Sequence, residues 1–239
     1  MSAGQGKSEQ ELMELLKEFD TPSVTNVLGT YPKKKDVCLG LYNPWHTNWY
    51  TDQSMKCIYP ELGRRAGHVV TAVFGMPDPD FGRLDFTDIL RAVWACDNPV
   101  IVVFKQDIPE NIRMKNGLAG GNMVTALKRA GAVGLISDGP SRDVDEIREM
   151  DFQYMLTGVS AGHGAFSIKA VNVPVSICGM DVCPGEIIHM DENGAVKFPR
   201  QHLADVYERL CLLREQENKK MSSLAAAADV EGLVKAWLG

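Results

Sequence analysis

Two short segments carry residue types that could do chemistry together: Ser137-Asp138-Gly139-Pro140-Ser141-Arg142-Asp143 and Leu118-Ala119-Gly120-Gly121-Asn122. Arginine offers a planar fork of donors for a carboxylate, and Asp138 and Asp143 offer hard oxygens of the kind that Mg²⁺ or Mn²⁺ prefers. Consecutive glycines at a helix start let a ligand approach the backbone, where unpaired first-turn N–H groups favour an anion. A guanidinium, a cation-holding carboxylate and anion-binding amides are the equipment for stabilising an enolate beside a 2-oxo acid carbonyl. Each part also has a plainer reading. With Glu146 three residues on, Asp143 makes a helix capping box; Arg142 is a surface charge; the glycines form a flexible turn.

Both segments follow continuous apolar runs, residues 100–104 and 133–137, which read as buried strands. In an open parallel sheet, ligands bind beyond the carboxyl ends of the strands, where both loops would then lie. From residue 67 the pattern alternates, with strands at 69–74, 100–104, 133–137 and 152–156 and helices at 85–95, 122–130 and 143–150. That alternation predicts a parallel central sheet with right-handed crossovers. Short strands follow at 168–171, 173–177, 186–190 and 195–198 as a β-rich second layer, with Asp191-Glu192-Asn193-Gly194 as a hairpin turn. Helices over 201–220 and after Asp229 close the chain as C-terminal arms. At the front, Ser8 and Glu11 form a capping box before an amphipathic helix, and Thr21-Pro22-Ser23 starts a second. Residues 31–65 read as an irregular wrap in which Trp45, His46, Trp49 and Tyr50 anchor a long loop or form a binding patch. The chain thus reads as one compact α/β unit in three stretches, residues 1–65, 66–199 and 200–239.

At 239 residues the chain can bury a real core, and 45% hydrophobic with 23% charged residues is an ordinary globular composition. A net charge of −6 disfavours phosphate-neutralising nucleic-acid binding. No apolar run reaches membrane-spanning length, so a cytoplasmic protein without membrane partners is expected. The six cysteines read as reduced thiols, and Cys178 and Cys183 with His189 lack the ligand count and spacing of a zinc site. No Gly-x-x-x-x-Gly-Lys loop, Gly-x-Gly-x-x-Gly fingerprint or Gly-x-Ser-x-Gly elbow is present, which lowers nucleotide-dependent, methyl-transfer and serine-hydrolase chemistry.

Gly120-Gly121-Asn122-Met123 through Asp138-Gly139-Pro140-Ser141-Arg142-Asp143, with the later Pro184-Gly185, Asp191-x-x-Gly194 and Val196-x-x-Pro199 block, resembles the signature of the RraA-like family. That family holds the class II 4-hydroxy-4-methyl-2-oxoglutarate/4-carboxy-4-hydroxy-2-oxoadipate aldolases and the regulator of ribonuclease E activity. The resemblance spans residues 67–199. It implies a swivelling β/β/α domain, a homotrimer or dimer of trimers with sites between subunits, and a divalent-metal lyase on small 2-oxo acids. It further implies that Arg142 and the amides of Gly120, Gly121, Asn122 and Met123 bind substrate and that Asp143 holds Mg²⁺ or Mn²⁺. The reaction would be aldol cleavage to pyruvate or oxaloacetate decarboxylation.

One position departs from the family pattern: the aldolases' acidic residue, 21 places before the arginine, is Gly121 here. The adjacent Asn122 does not titrate. His163, His189 and Asp138 are the substitute acid or base candidates within the chain. Glu217, with Glu215 behind it, is the candidate for the carboxylate that the family supplies from a neighbour's C-terminal helix. The competing reading is a non-catalytic regulator that binds a ribonuclease or other protein. The presence of Asp143, which that regulator lacks, favours the enzyme.

Overall fold

The computed structural model describes residues 4, 6–31, 36–45 and 48–238. Its elements in chain order are α1 (Glu9–Leu16), α2 (Thr21–Leu28), β1 (Lys56–Cys57), β2 (Arg65–Gly75), α3 (Phe86–Ala95), β3 (Val100–Asp107), α4 (Glu110–Arg113), α5 (Gly121–Ala130) and β4 (Ala132–Ser137). Then follow α6 (Val144–Glu149), β5 (Gln153–Leu156), β6 (Ser167–Val171), β7 (Val175–Ile177), β8 (Met180–Val182), β9 (Ile187–Asp191), β10 (Gly194–Phe198), α7 (Leu203–Ala225) and α8 (Val230–Leu238).

The centre is a parallel run, β5-β4-β3-β2. Antiparallel strands extend it: β1 on β5, and β6 and β9 on β2, with β10 beyond β9. Because side chains alternate across a strand, the uninterrupted apolar runs divide between two buried faces. Val70, Ala72 and Phe74 of β2 with Val102 and Phe104 of β3 pack under α3, α5 and α6. Val69, Ile101, Val103 and Ile136 point the other way, under the β7–β8 hairpin. A third core joins α1, α2 and α7 over β9 and β10, so the two ends of the chain cover the same edge of the sheet.

Several boundaries follow the local chemistry. Ser8 accepts from the Glu11 N–H and Glu11 reaches back to Ser8, the reciprocal box expected of that spacing. Gly131, at φ 116°, stops α5 where a side chain would be strained. The β9–β10 hairpin turns at Glu192-Asn193, within the expected Asp191-Glu192-Asn193-Gly194 turn. Two features escape the pattern. The hairpin partner β8 is only three residues long, too short for a periodicity, and the 106–120 loop contains the single turn α4. In the wrap, Trp49 is buried, stacked on Tyr42 and edge-on to Tyr50, which is loop anchoring; Trp45 is exposed and His46 lies outside the described residues.

Candidate active site

Loops leaving the carboxyl ends of β3, β4 and β5 are stitched together by main-chain hydrogen bonds. Leu118 N donates to Pro140 O, Ser141 N to Gly158 O, Ser160 N to Ser141 O and Gly117 N to Gly162 O. Tyr154 Oη and Ser141 Oγ both donate to Ala119 O, fixing the residue before the glycine pair; burial pushes the Tyr154 phenol well above its ordinary range. Sequence-distant segments therefore meet at one edge of the sheet, as expected for a parallel sheet.

At the centre lie Arg142 and Asp143. Asp143 stands at the N-cap position of α6 but adopts a left-handed backbone, φ 58° and ψ 37°, a conformation that aspartate tolerates better than most residues. Its side chain does not cap α6, which corrects the capping-box reading. It crosses instead to α5, where Oδ2 accepts the Gly121 N–H at 2.9 Å and Oδ1 accepts Arg142 Nε at 3.0 Å. Gly120 has no side chain to cap α5, so the Asp143 carboxylate, 22 residues downstream of Gly121, does so. The Gly121 N–H, followed by Arg142, holds the Asp143 carboxyl below its usual range, so it is ionised at neutral pH.

Two carboxylates pack against the glycine pair. Asp143 Oδ2 occupies the place of a Gly120 Cβ, and the Glu146 carboxylate occupies the place of a Gly121 Cβ. Glu146 has no hydrogen-bond or ion-pair partner among the described residues and is exposed. A protein carboxylate therefore already takes the Gly121 amide that the sequence reading reserved for substrate. The N–H groups of Asn122 and Met123 keep no protein acceptor among the described residues; the first main-chain bond into this end of α5 comes from Val124. Arg142 spends only Nε on Asp143, leaving the Nη donors.

The remaining candidates separate. His163 is exposed on the 160–164 segment, which hydrogen-bonds to Gly117 and to Ser141, the residue before Arg142, so it lies on a loop of this site; its ring Nδ1 is 3.1 Å from Gly164 O. His189 does not. It is fully buried in β9, with Nδ1 2.9 Å from Thr21 Oγ1 and Nε2 3.2 Å from Leu16 O, and burial lowers its pKa to about 4. It fastens α1 and α2 to the sheet and has no access to substrate. Asp138 is also buried, with Oδ1 accepting the Gln106 N–H at 2.8 Å and Oδ2 receiving Lys105 Nζ at 2.6 Å and Arg113 Nη1 at 3.5 Å. Its charge is buried and met by two cations, Lys105 and Arg113, whereas Asp143 is more exposed and meets only Arg142, which corrects the reading of Asp138 as an acid, base or cation ligand. Glu217, on α7, lines a cleft with Glu18, Asp20 and Arg64, away from the Arg142 loop of the same chain. Sequence reasoning missed Lys105 and Arg113. A charged residue directly after the apolar run 100–104 was the available signal.

For a Mg²⁺-type ion, which binds through one or two carboxylates and keeps several waters, Asp143 with Glu146 beside it is a fitting donor set. A closed protein cage is not: no group of three or more His, Cys, Asp or Glu side chains suited to a metal occurs among the described residues. That also leaves Cys178, Cys183 and His189 without a zinc centre, and all six cysteines are free thiols. No helix among the described residues is long and apolar enough to cross a membrane.

Known proteins agree with this architecture. Over 87 residues the chain is 29% identical to a Thermus thermophilus protein named 4-hydroxy-4-methyl-2-oxoglutarate aldolase, covering 36% of this chain and 53% of that one. Over 109 residues it is 30% identical to protein DlpA of Legionella pneumophila, covering 45% of this chain and only 18% of that one. The chain thus spans well under two thirds of either relative's length. Its fold is similar to that of Streptomyces coelicolor RraAS2, described as an unusual member of the RNase ES inhibitor RraA protein family, with TM-score 0.65, 18% identity, and 89% and 96% of the two chains covered. The family model for RraA-like proteins, described as Aldolase/RraA, matches residues 37–197, more than half of the chain and all three site loops, and the chain belongs to that family.

Proposed function

We propose that this protein is a divalent-cation-dependent lyase acting on small 2-oxo acids, by aldol cleavage of a 4-hydroxy-2-oxo acid to pyruvate, by decarboxylation of oxaloacetate, or by both. The observation that carries the reading is the convergence of Arg142, ionised Asp143 and the amide end of α5. The relative named as an aldolase supports the same class. Asp143, assisted by Glu146, would hold Mg²⁺ or Mn²⁺, which supplies a Lewis acid for the 2-oxo group.

The chain's own residues provide the rest. The Asn122 and Met123 amides accept the substrate carboxylate, and the Arg142 Nη donors face the 2-oxo oxygen, where negative charge develops. In cleavage the C3–C4 bond breaks, its electron pair passes into the pyruvate enolate, and the 4-hydroxyl gives up its proton to leave a carbonyl product. The enolate then takes a proton at C3. Glu146 and His163 are the titratable groups beside Arg142 and Asp143 that can move those protons. The substrate is a small 2-oxo acid, and the assembly is a homotrimer or dimer of trimers in which Glu217 would serve a neighbour's site.

Pyruvate release from oxaloacetate and from 4-hydroxy-2-oxo acids tests this with and without Mg²⁺ or Mn²⁺. Turnover should need the cation and fall at least about 100-fold in Asp143→Asn. Absence of cation-dependent turnover, or equal rates in parent and variant, removes the lyase reading; a stoichiometric ribonuclease complex would then put a regulator in its place.

A further inference from the structure

A cavity of about 620 Å³ is lined by neither Arg142 nor Asp143. It opens at the same edge of the sheet, beyond β3, β4 and β5, and is walled by Lys105, Arg113, Asp138 and Thr157. Cys178, in the turn between β7 and β8, closes one side, and no wall comes from α5 or α6. Its volume lies within the roughly 300–1,000 Å³ of ordinary small-molecule sites.

Its charge arrangement is specific. Asp138 is buried and anchors two cations on one oxygen, Lys105 at 2.6 Å and Arg113 at 3.5 Å, while its other oxygen is tied to the Gln106 amide. Each cation spends a single donor on Asp138, and no other described group accepts from either side chain. An ammonium has three donors and a guanidinium five, so most of them remain available at the cavity wall. With Glu110 at the rim, the two cations and two carboxylates of the lining balance formally, so an anion would be held by the spare donors of Lys105 and Arg113 rather than by net charge. Glu110, at the rim, makes no ion pair with Arg113 and lowers the net charge of the mouth. That favours a small ligand gripped by directed hydrogen bonds over an extended polyanion.

We propose that this cavity is a second ligand site, separate from the Arg142–Asp143 site, which binds the oxyanion group of a small organic acid or phosphorylated metabolite through Lys105 and Arg113. Asp138 is its positioning residue: it holds the two cations side by side and touches no ligand.

Calorimetric titration of the intact chain tests this, using sodium malonate and sodium phosphate as separate probes with EDTA present and no 2-oxo acid. The result is then independent of the lyase reading. Saturation by malonate assigns a carboxylate ligand and saturation by phosphate a phosphoryl one; either supports the site. Arg113→Gln should weaken the saturating probe about tenfold or more, and Arg142→Gln should leave it unchanged. Arg113→Gln keeps the closer Lys105–Asp138 pair, so the buried carboxylate stays compensated, and an unchanged melting temperature verifies the fold. Failure of both probes to saturate by about 10 mM overturns the proposal. Equal loss in Arg113→Gln and Arg142→Gln also overturns it, by moving the anion to the other site.

Discussion

Two adjacent glycines, Gly120 and Gly121, touch two different carboxylates, and the difference in how those carboxylates are held separates their tolerance to substitution. The Asp143 carboxylate on Gly120 is fixed at both oxygens, by the Gly121 amide and Arg142 Nε, so a methyl group at Gly120 displaces an anchored ion. The Glu146 carboxylate on Gly121 is the free end of an exposed side chain and can swing aside. Gly120→Ala is therefore expected to cost about 2 kcal/mol and to abolish turnover with Asp143 moved, whereas Gly121→Ala should change stability by less than about 1 kcal/mol. Urea midpoints at constant m-value measure both, and a larger loss at Gly121 than at Gly120 contradicts the assignment.

Among the elements, α1 and α2 are held to β9 by His189, between Thr21 Oγ1 and the Leu16 carbonyl. This gives the fold an acid limb with a definite sign. The buried imidazole has a pKa of about 4, against about 6.5 in the unfolded chain, so between those values the unfolded state binds a proton that the folded state refuses. The stability contribution is complete above about pH 6.5 and is lost as pH falls towards 4, by about 3 kcal/mol in all. His189→Gln should be less stable than the parent at pH 7, and its stability should fall less steeply from pH 7 to 4.5. Parallel slopes in urea unfolding would show that His189 is not the group responsible. The proposed lyase activity would supply a second check: a residue confined to this clamp leaves no mark on the pH–rate profile of the protein that remains folded.

For the whole molecule, apolar side chains left on the surface accord with a larger assembly. Trp94 is 65% exposed on α3 and Trp237 66% exposed on α8, and Leu233, Val234 and Leu238 accompany the latter. Light scattering of the full chain is expected to return three or six times the 26.3 kDa chain mass, in keeping with the proposed trimer or dimer of trimers. A monomeric mass at micromolar concentration would remove the proposed role of Glu217 in a neighbour's site and leave catalysis to the residues of one chain.

The sequence by itself determined the parallel centre, because the apolar runs at 69–74, 100–104 and 133–137 are dictated by strands buried on both faces. It also determined the loops that bear the site and the prominence of Arg142 and Asp143, since short-range spacing encodes a strand end followed by a helix start. Only the tertiary structure decided where each carboxylate's charge is spent. Asp143 leaves its own helix to cap α5, Asp138 is consumed by Lys105 and Arg113, and His189 is sealed beneath α1 and α2. Those outcomes depend on contacts between residues as much as 173 positions apart. A local pattern records a residue's chemistry; the fold determines which partner satisfies it.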